Sequence, residues 1–395
     1  MRKDWLPPSL RPVVWLLVWL LVGVALLIRP QQVNPIGRPA ALPTSSPPTG
    51  AVHTWVLEAQ GMIGQPKEAP AAHASNLVAL PDHPSYSLAA FWFAGSKEAR
   101  PDVRIAMSLW LRQQQTWTPP VWVIDRHSAG AALGKGILHI GNPVAWLDRQ
   151  QRLHVFVVGT GLGGWAAARV LHLRQRAALT ANASTPDFEV IGQLPLGWFW
   201  NLSHLVRHSP MPLADGGMVL PLHFELGGHY PLFAWFSPDG EFQGLRRLTH
   251  IHQALQPAPA AVDGHHWLAY LRTLGPRDKL QVLASTDAGQ HWQLQPELAQ
   301  SQRDTAVASL RLPSGEWMLA RNPLERGRTQ LVMHHSPDGL NWSPALMLAE
   351  GGSGSEYSYP SLRWSEDRLW VSYTHLRQGI AWQRWRAAPS DKASR

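Results

Sequence analysis

Cysteine is absent from all 395 residues. That removes disulfides and thiolate zinc sites. It leaves the compartment open, because a chain this long builds its core without staples. Acidic residues are the minority charge: 27 Asp and Glu face 35 Lys and Arg, a formal net charge of +8 and a sequence pI near 10.1. This balance favours anionic partners such as acidic sugars, membrane headgroups or nucleic acid. Nucleic acid is set aside, since the cations are scattered and no basic run exceeds Arg246-Arg247. Charged residues make up 16% and hydrophobic ones 45%, which describes a globular chain and not a disordered one. Long helical periodicity is missing after residue 30, and long apolar runs are confined to one.

That run is Val13 to Ile28, preceded by Arg2, Lys3 and Arg11. No small-x-small cleavage site follows it; Arg29-Pro30 does. The pattern predicts an uncleaved N-terminal transmembrane helix within residues 1–29, with its N-terminus held in the cytoplasm by the basic flank. A cleaved signal sequence is the alternative. Either way the remainder is expected to be exported, as a single-pass protein of a bacterial inner membrane facing the periplasm if the helix is kept, or secreted if it is cleaved. Residues 30–50 hold Pro30, Pro35, Pro39, Pro43, Pro47 and Pro48 and read as an extended, unpacked linker. Residues 51–386 carry the folded domain, and 387–395 read as a frayed tail.

What the chain has in quantity is Trp, 21 residues, and a recurring turn. Ser285-Thr-Asp-Ala-Gly-Gln-His-Trp292 returns in shorter form as Ser336-Pro-Asp-Gly-Leu-Asn-Trp342 and, frayed, as Ser237-Pro-Asp-Gly240. Each follows an apolar run. The physical reading is a hairpin in which Asp caps backbone N–H groups, Gly takes a positive φ, and Trp packs on the neighbouring unit. Six apolar runs recur at intervals of roughly 50–65 residues. They begin at Leu88, Leu153, Met218, Trp267, Trp317 and Leu369. An all-β propeller of about six blades is expected.

Two motifs compete with this reading. Gly159-Thr-Gly-Leu-Gly-Gly164 satisfies a dinucleotide-binding fingerprint, but no βαβ alternation surrounds it, so a glycine-rich loop between strands is preferred. The 19 His residues invite a metal site, with His250-Ile-His252 and His334-His335 the densest groups. No third ligand accompanies either, and no cofactor is expected.

The repeated S-x-D-x-G-x-x-W resembles the aspartate box of the sialidase (neuraminidase) superfamily, over roughly residues 51–385. The resemblance implies an all-β six-bladed β-propeller behind the N-terminal helix, and it implies a site. Sialidases clamp a substrate carboxylate with three arginines, attack with a Tyr that a Glu deprotonates, and use an Asp as general acid and base. Asp102 stands in the place of that acid/base, six residues before the Ser of a first box decayed to Ser108…Trp117. Arg272 and Arg328 resemble the second and third clamp arginines, and Tyr359 resembles the nucleophile, with Tyr357 beside it open to a packing role. Two positions depart from the pattern. His73 stands where the first arginine is expected, and Gln256 where the Glu is expected, with Glu225 and Glu356 as substitutes to be placed.

The resemblance therefore implies a sialidase-like, exo-acting glycoside hydrolase on an exported glycan carrying an acidic sugar, with activity weakened or altered by the two replacements. The alternative is a non-catalytic carbohydrate-binding propeller tethered at the membrane, serving surface polysaccharide assembly. A protein-binding scaffold is a third reading, since the fold alone settles no function.

Overall fold

The computed structural model describes residues 7, 9–27, 40–41, 54–180, 187–197, 201–250, 253–274, 279–302 and 304–388. Among these the strands form six antiparallel sheets, arranged as the blades of a propeller. Blade one opens with Ala71–Ala79, blade two with His139–Leu147 and blade three with His204–Val206. Blade four opens with Ala254–Ala261, blade five with Ala308–Arg311 and blade six with Tyr357–Ser365. Each opening strand is followed by its hydrogen-bonded neighbours in chain order, apart from one exception that closes the ring. The outermost strand of blade six is Thr54–Ile63, from the start of the domain, paired with Gly379–Ala388 from its end.

The apolar runs lack a clean period of two because both faces of a blade are covered. Tyr86–Gly95 is buried at every position. Phe91, Ile105 and Met107 of blade one share one core with Val155, Leu171 and Leu173 of blade two. Val144 and Phe156 of blade two share the next with Leu220 and Phe236 of blade three. The hydrophobic core is thus a set of seams between blades, each removing apolar surface from water.

The aspartate boxes lie on the outer turns. In the better copy Ser285 Oγ donates to Asp287, and the Gly289 N–H donates back to Ser285 Oγ at 2.9 Å. The His291 N–H donates to Asp287 Oδ1 at 2.8 Å. The second copy repeats this through Ser336, Asp338, Gly339 and Asn341. Trp292 packs edge-on against Phe233 of blade three, and Trp342 against Tyr270 of blade four. The third copy departs. Asp239 is held by Arg149 and Gln150 of blade two. The first box is not where the spacing placed it: Ser108 lies inside strand Arg104–Leu111, donating to the Thr118 carbonyl at 2.7 Å. The turn itself begins beyond Leu111, and Trp117 alone keeps the pattern by packing on Trp370 of blade six.

The N-terminal apolar run forms a helix. The helix spans Arg11–Leu27, 17 residues or about 25 Å at 1.5 Å per residue. Among the described residues no helix is long and apolar enough to cross a membrane, so the transmembrane reading lacks structural support. Most of the proline-rich linker lies outside the described residues, but Ala40 and Ala41 are packed. The Ala41 N–H donates to the Gly264 carbonyl at 3.0 Å and the Ala214 N–H to the Ala40 carbonyl at 2.8 Å, with Ala41 buried between blades three and four. At the other end Ala387 and Ala388 belong to the last strand; the rest of the expected tail lies outside the described residues. The glycine-rich stretch after Gly159 is a strand-to-strand connection with one four-residue 3-10 turn, Gly164–Ala167, so the dinucleotide reading has no helix to rest on.

Candidate functional site

Four opening strands share one irregularity. In each, two residues face one on the partner strand: Ala74-Ser75 opposite Trp92, Asn142-Pro143 opposite Val157, Gln256-Pro257 opposite Leu271, and Tyr359-Pro360 opposite Tyr373. The first residue of each bulge has left-handed backbone, with φ of 53°, 46°, 44° and 53°. Non-glycine residues enter that region at a cost of order 1–3 kcal/mol, and bulges of this kind re-aim a side chain. At Tyr359 the bulge turns a phenol out of the ladder, and the surrounding arginines gather on it.

Arg272 is the penultimate residue of strand Trp267–Thr273, directly across the ladder from Leu255. It donates to Asp304 at 2.6 Å, and Tyr359 lies near enough to act on its charge. Burial opposes its charge, but Tyr359 and Asp304 outweigh burial and raise its pKa. Arg328 comes from the loop before Gln330–Ser336; its guanidinium carbon lies 5.4 Å from the Tyr359 ring centroid and its Nη1 donates to Glu356 at 3.0 Å. His73 meets the same ring edge-on at 4.6 Å. Burial, then the charges of Arg377, Arg328 and Arg207, push its imidazole down to about 3 against the pull of Glu356. It is therefore neutral at ordinary pH, and both ring nitrogens are buried without a partner. The fold thus brings His73, Arg272, Arg328 and Tyr359 together from blades one, four, five and six.

Gln256 lies one residue from the Arg272 pairing, buried, with its Oε1 unpartnered. Neither nearby carboxylate has the character of a base. Burial pushes the Glu356 carboxyl up, but Arg377, Ser358 and Arg328 outweigh it and hold it at about 2. Burial also pushes Glu225 up, but His223 at 3.2 Å, with a contribution from Arg272, leaves it lowered. Asp102 is exposed, and both its oxygens are taken by Ser96: the backbone N–H donates at 2.7 Å and the hydroxyl at 2.8 Å. Burial pushes it up, yet these bonds and Arg104 hold it below the usual carboxylate range. Ser96 and Arg104 lie in its own blade, and neither joins it to Tyr359. Tyr357 is buried in the seam with Tyr373 and His375, a packing role.

Three participants were not anticipated. Arg207 is 2% exposed, with its guanidinium carbon 4.9 Å from the Tyr359 ring centroid, donating to the carbonyls of Ser75 and Pro360 at 3.2 Å each. Burial lowers its pKa to about 10, so it remains a cation at neutral pH. It ties blades three, one and six at the axis. Its signal was a lone cation within the apolar run Leu205-Val-Arg207. Asp304 and Arg377, which complete the ion pairs, carried no local signal. Among the described residues no group of His, Asp or Glu could hold a metal; His252 lies outside them.

Comparison with known proteins agrees with this architecture. The chain aligns with a Hadza microbial sialidase at a TM-score of 0.63 and 15% identity, over 82% of this chain and 67% of that one. It aligns with Trypanosoma rangeli sialidase in complex with sialic acid at 0.60 and 11%, over 87% of this chain but only 59% of the other. A protein of unknown function from Dyadobacter fermentans matches at 0.63 and 11%, over 85% of this chain and 99% of that one. No curated protein matches. At these identities the structural likeness shows the fold alone, a sialidase-like six-bladed propeller. The BNR repeat-like domain family matches residues 86–375, well over half the chain. This chain therefore belongs to the BNR repeat-like domain family.

Proposed function

We propose that the protein is a sialidase-like glycoside hydrolase acting on a glycan that carries an anionic sugar. The observation that carries the reading is the Tyr359 ring, flanked by the guanidinium groups of Arg207 and Arg328 and close enough to Arg272 to favour its charge. A bulged, strained tyrosine ringed by guanidinium groups is costly to maintain as packing. It suits a nucleophile attacking an anomeric carbon beside a carboxylate, where a carboxylate nucleophile would be repelled. Tyr359 Oη bonds to the anomeric carbon as the glycosidic C–O bond breaks, the proton the phenol gives up being matched by the one the leaving oxygen takes; water then breaks the Oη–carbon bond, its hydroxyl going to the sugar and its proton to Tyr359. Arg272 and Arg328 hold the anionic group.

The proton path is the weak part of the machine. Gln256 cannot accept the phenol proton, Glu356 is pinned as an anion, and Asp102 is held ionised by Ser96, the wrong state for a general acid at neutral pH. These same observations favour the second reading, a non-catalytic propeller that binds an acidic glycan. Incubating the purified chain with a fluorogenic sialoside and with acidic polysaccharides separates the two. Turnover lost in both Tyr359→Phe and Asp102→Asn supports hydrolysis with Asp102 as acid. Glycan binding without turnover, unchanged by Asp102→Asn, supports the binding module. Efficient release of free sialic acid would overturn the expectation of a weakened site.

Export to the periplasm and tethering at the inner membrane belong to this proposal and rest on the basic flank and apolar run of the first 28 residues. Recovery of the full chain in the soluble fraction after alkaline extraction of membranes would sink that part.

A further inference from the structure

The clamp lacks its first arm, because the strand opening blade one carries His73 where an arginine is expected. The turn after strand Arg368–His375 of blade six fills the gap from the side. The Ala72 N–H, one residue before His73, donates to the Arg377 carbonyl at 3.1 Å, and the Leu376 N–H donates to the Glu356 carbonyl at 2.7 Å. Leu376 and Arg377 both have left-handed backbone, φ 55° and 56°, an unfavourable choice for two consecutive side-chain-bearing residues. The turn is thus pinned over His73 at a conformational cost.

The Arg377 side chain is held as firmly. Its Nε donates to Glu356 Oε2 at 2.6 Å and its Nη1 to Glu98 of the blade-one loop. The other oxygen of Glu356 holds Arg328. One carboxylate therefore sets two guanidinium groups side by side, and Arg377 keeps Nη2 unused and its side chain 45% exposed. Beside it opens a cavity of about 50 Å³, lined by His73, Phe93, Lys97, Glu98, Val103 and Arg377 among others. An arginine at position 73 would face Arg377 across this space with like charge, whereas a neutral histidine lets it approach.

We propose that Arg377 is the third cationic arm of the site, supplied by blade six in place of the residue that blade one lacks. It holds the sugar's carboxylate together with Arg328, on the side of the pocket facing blade one. The inference rests on the anionic-sugar reading above. It makes Arg377 a specificity-determining residue, with Glu98 and Glu356 positioning it.

The test is titration of the full chain with N-acetylneuraminic acid and, separately, D-glucuronic acid, followed by ligand-observed NMR. The variants are R377A, R377K and R377Q. Loss of about tenfold or more in affinity in R377A, a smaller loss in R377K, and partial rescue of R377A by added guanidinium support the proposal. Rescue distinguishes an arm from a merely structural turn. Melting curves check folding, and R377Q carries the comparison if R377A does not fold. Binding unchanged in R377A and R377Q, while R272A or R328A abolishes it, overturns the assignment of Arg377 and leaves the anionic-sugar reading standing. No binding of either sugar by the wild-type chain overturns both.

Discussion

The rim of this propeller and its axis are built from the same strands under opposite rules. On the rim, Ser285, Asp287 and Gly289 satisfy one another within five residues. At the axis, His73, His204, His208 and Gln256 keep buried polar atoms without partners, and the ion pairs join residues up to 279 positions apart. A local network survives in any blade that carries the motif, which is why it repeats. The axial network exists only when the ring is closed. The contrast separates stability from function: the box turns close their Ser, Asp and Gly hydrogen bonds locally, while the axis holds strained backbone and unpartnered polar atoms.

The sharpest way to break the comparison is at its two extremes. Tyr359→Phe removes one exposed-side hydroxyl, so the melting temperature should hardly move. Under the hydrolase reading turnover should fall by on the order of 1,000-fold or more. Residual activity within about tenfold of wild type would show that the phenol is not the nucleophile. On the rim the expectation inverts. Gly339 has φ 77°, and a Cβ there would lie 2.7 Å from Tyr270 Oη and 3.0 Å from the Trp317 ring. Gly339→Ala should therefore cost about 2–4 kcal/mol in urea unfolding, through strain and overpacking, and leave ligand binding at the axis intact.

Acid should unfold the interior before the rim. His73, His172 and His204 are each pushed by burial down to about 3, with neighbouring charges adding to it. All three are neutral when folded, while the unfolded chain takes up protons near the ordinary histidine value of about 6.5. Their stabilising contribution is complete above that pH and is lost as pH falls from 6.5 toward 3. By pH 5 the loss is on the order of 2 kcal/mol per histidine. Box carboxylates such as Asp287, held at about 2 by His291 and Ser285 against burial, contribute fully until pH drops below about 4. A melting temperature flat from pH 7 to pH 5 would contradict this order.

The smallest effects test the decay of the boxes. Asp287→Ala removes a turn cap and should cost about 1 kcal/mol, as lost caps do. Asp239→Ala removes only an exposed partner of Arg149 and Gln150, and should leave the unfolding midpoint unchanged.

Blade number and order were legible because each blade carries its own apolar runs and turn residues, as with Trp267–Leu271 before Ser285. Arg272, Arg328 and Tyr359 were singled out by resemblance to aspartate-box proteins, and the closed ring brings the three together. Arg207, Asp304 and Arg377 were not singled out, since each acquires its role from a residue in another blade. The placement of Ser108 failed for a related reason: Trp117 preserved the turn's packing after its hydrogen-bonding residues had gone. The membrane helix was read from an apolar run behind a basic flank with no cleavage site after it, and the described part of that helix is Arg11–Leu27.

By itself the sequence determined the kind of building block, its repetition, and the positive φ demanded by each box glycine, because these depend on contacts a few residues long. Only the tertiary structure decided that Glu356 holds two arginines, that Arg207 sits buried against Tyr359, and that a turn of blade six covers His73. Those are electrostatic and burial effects among distant segments. No local pattern encodes them, because the energy that fixes them appears only once the ring has closed.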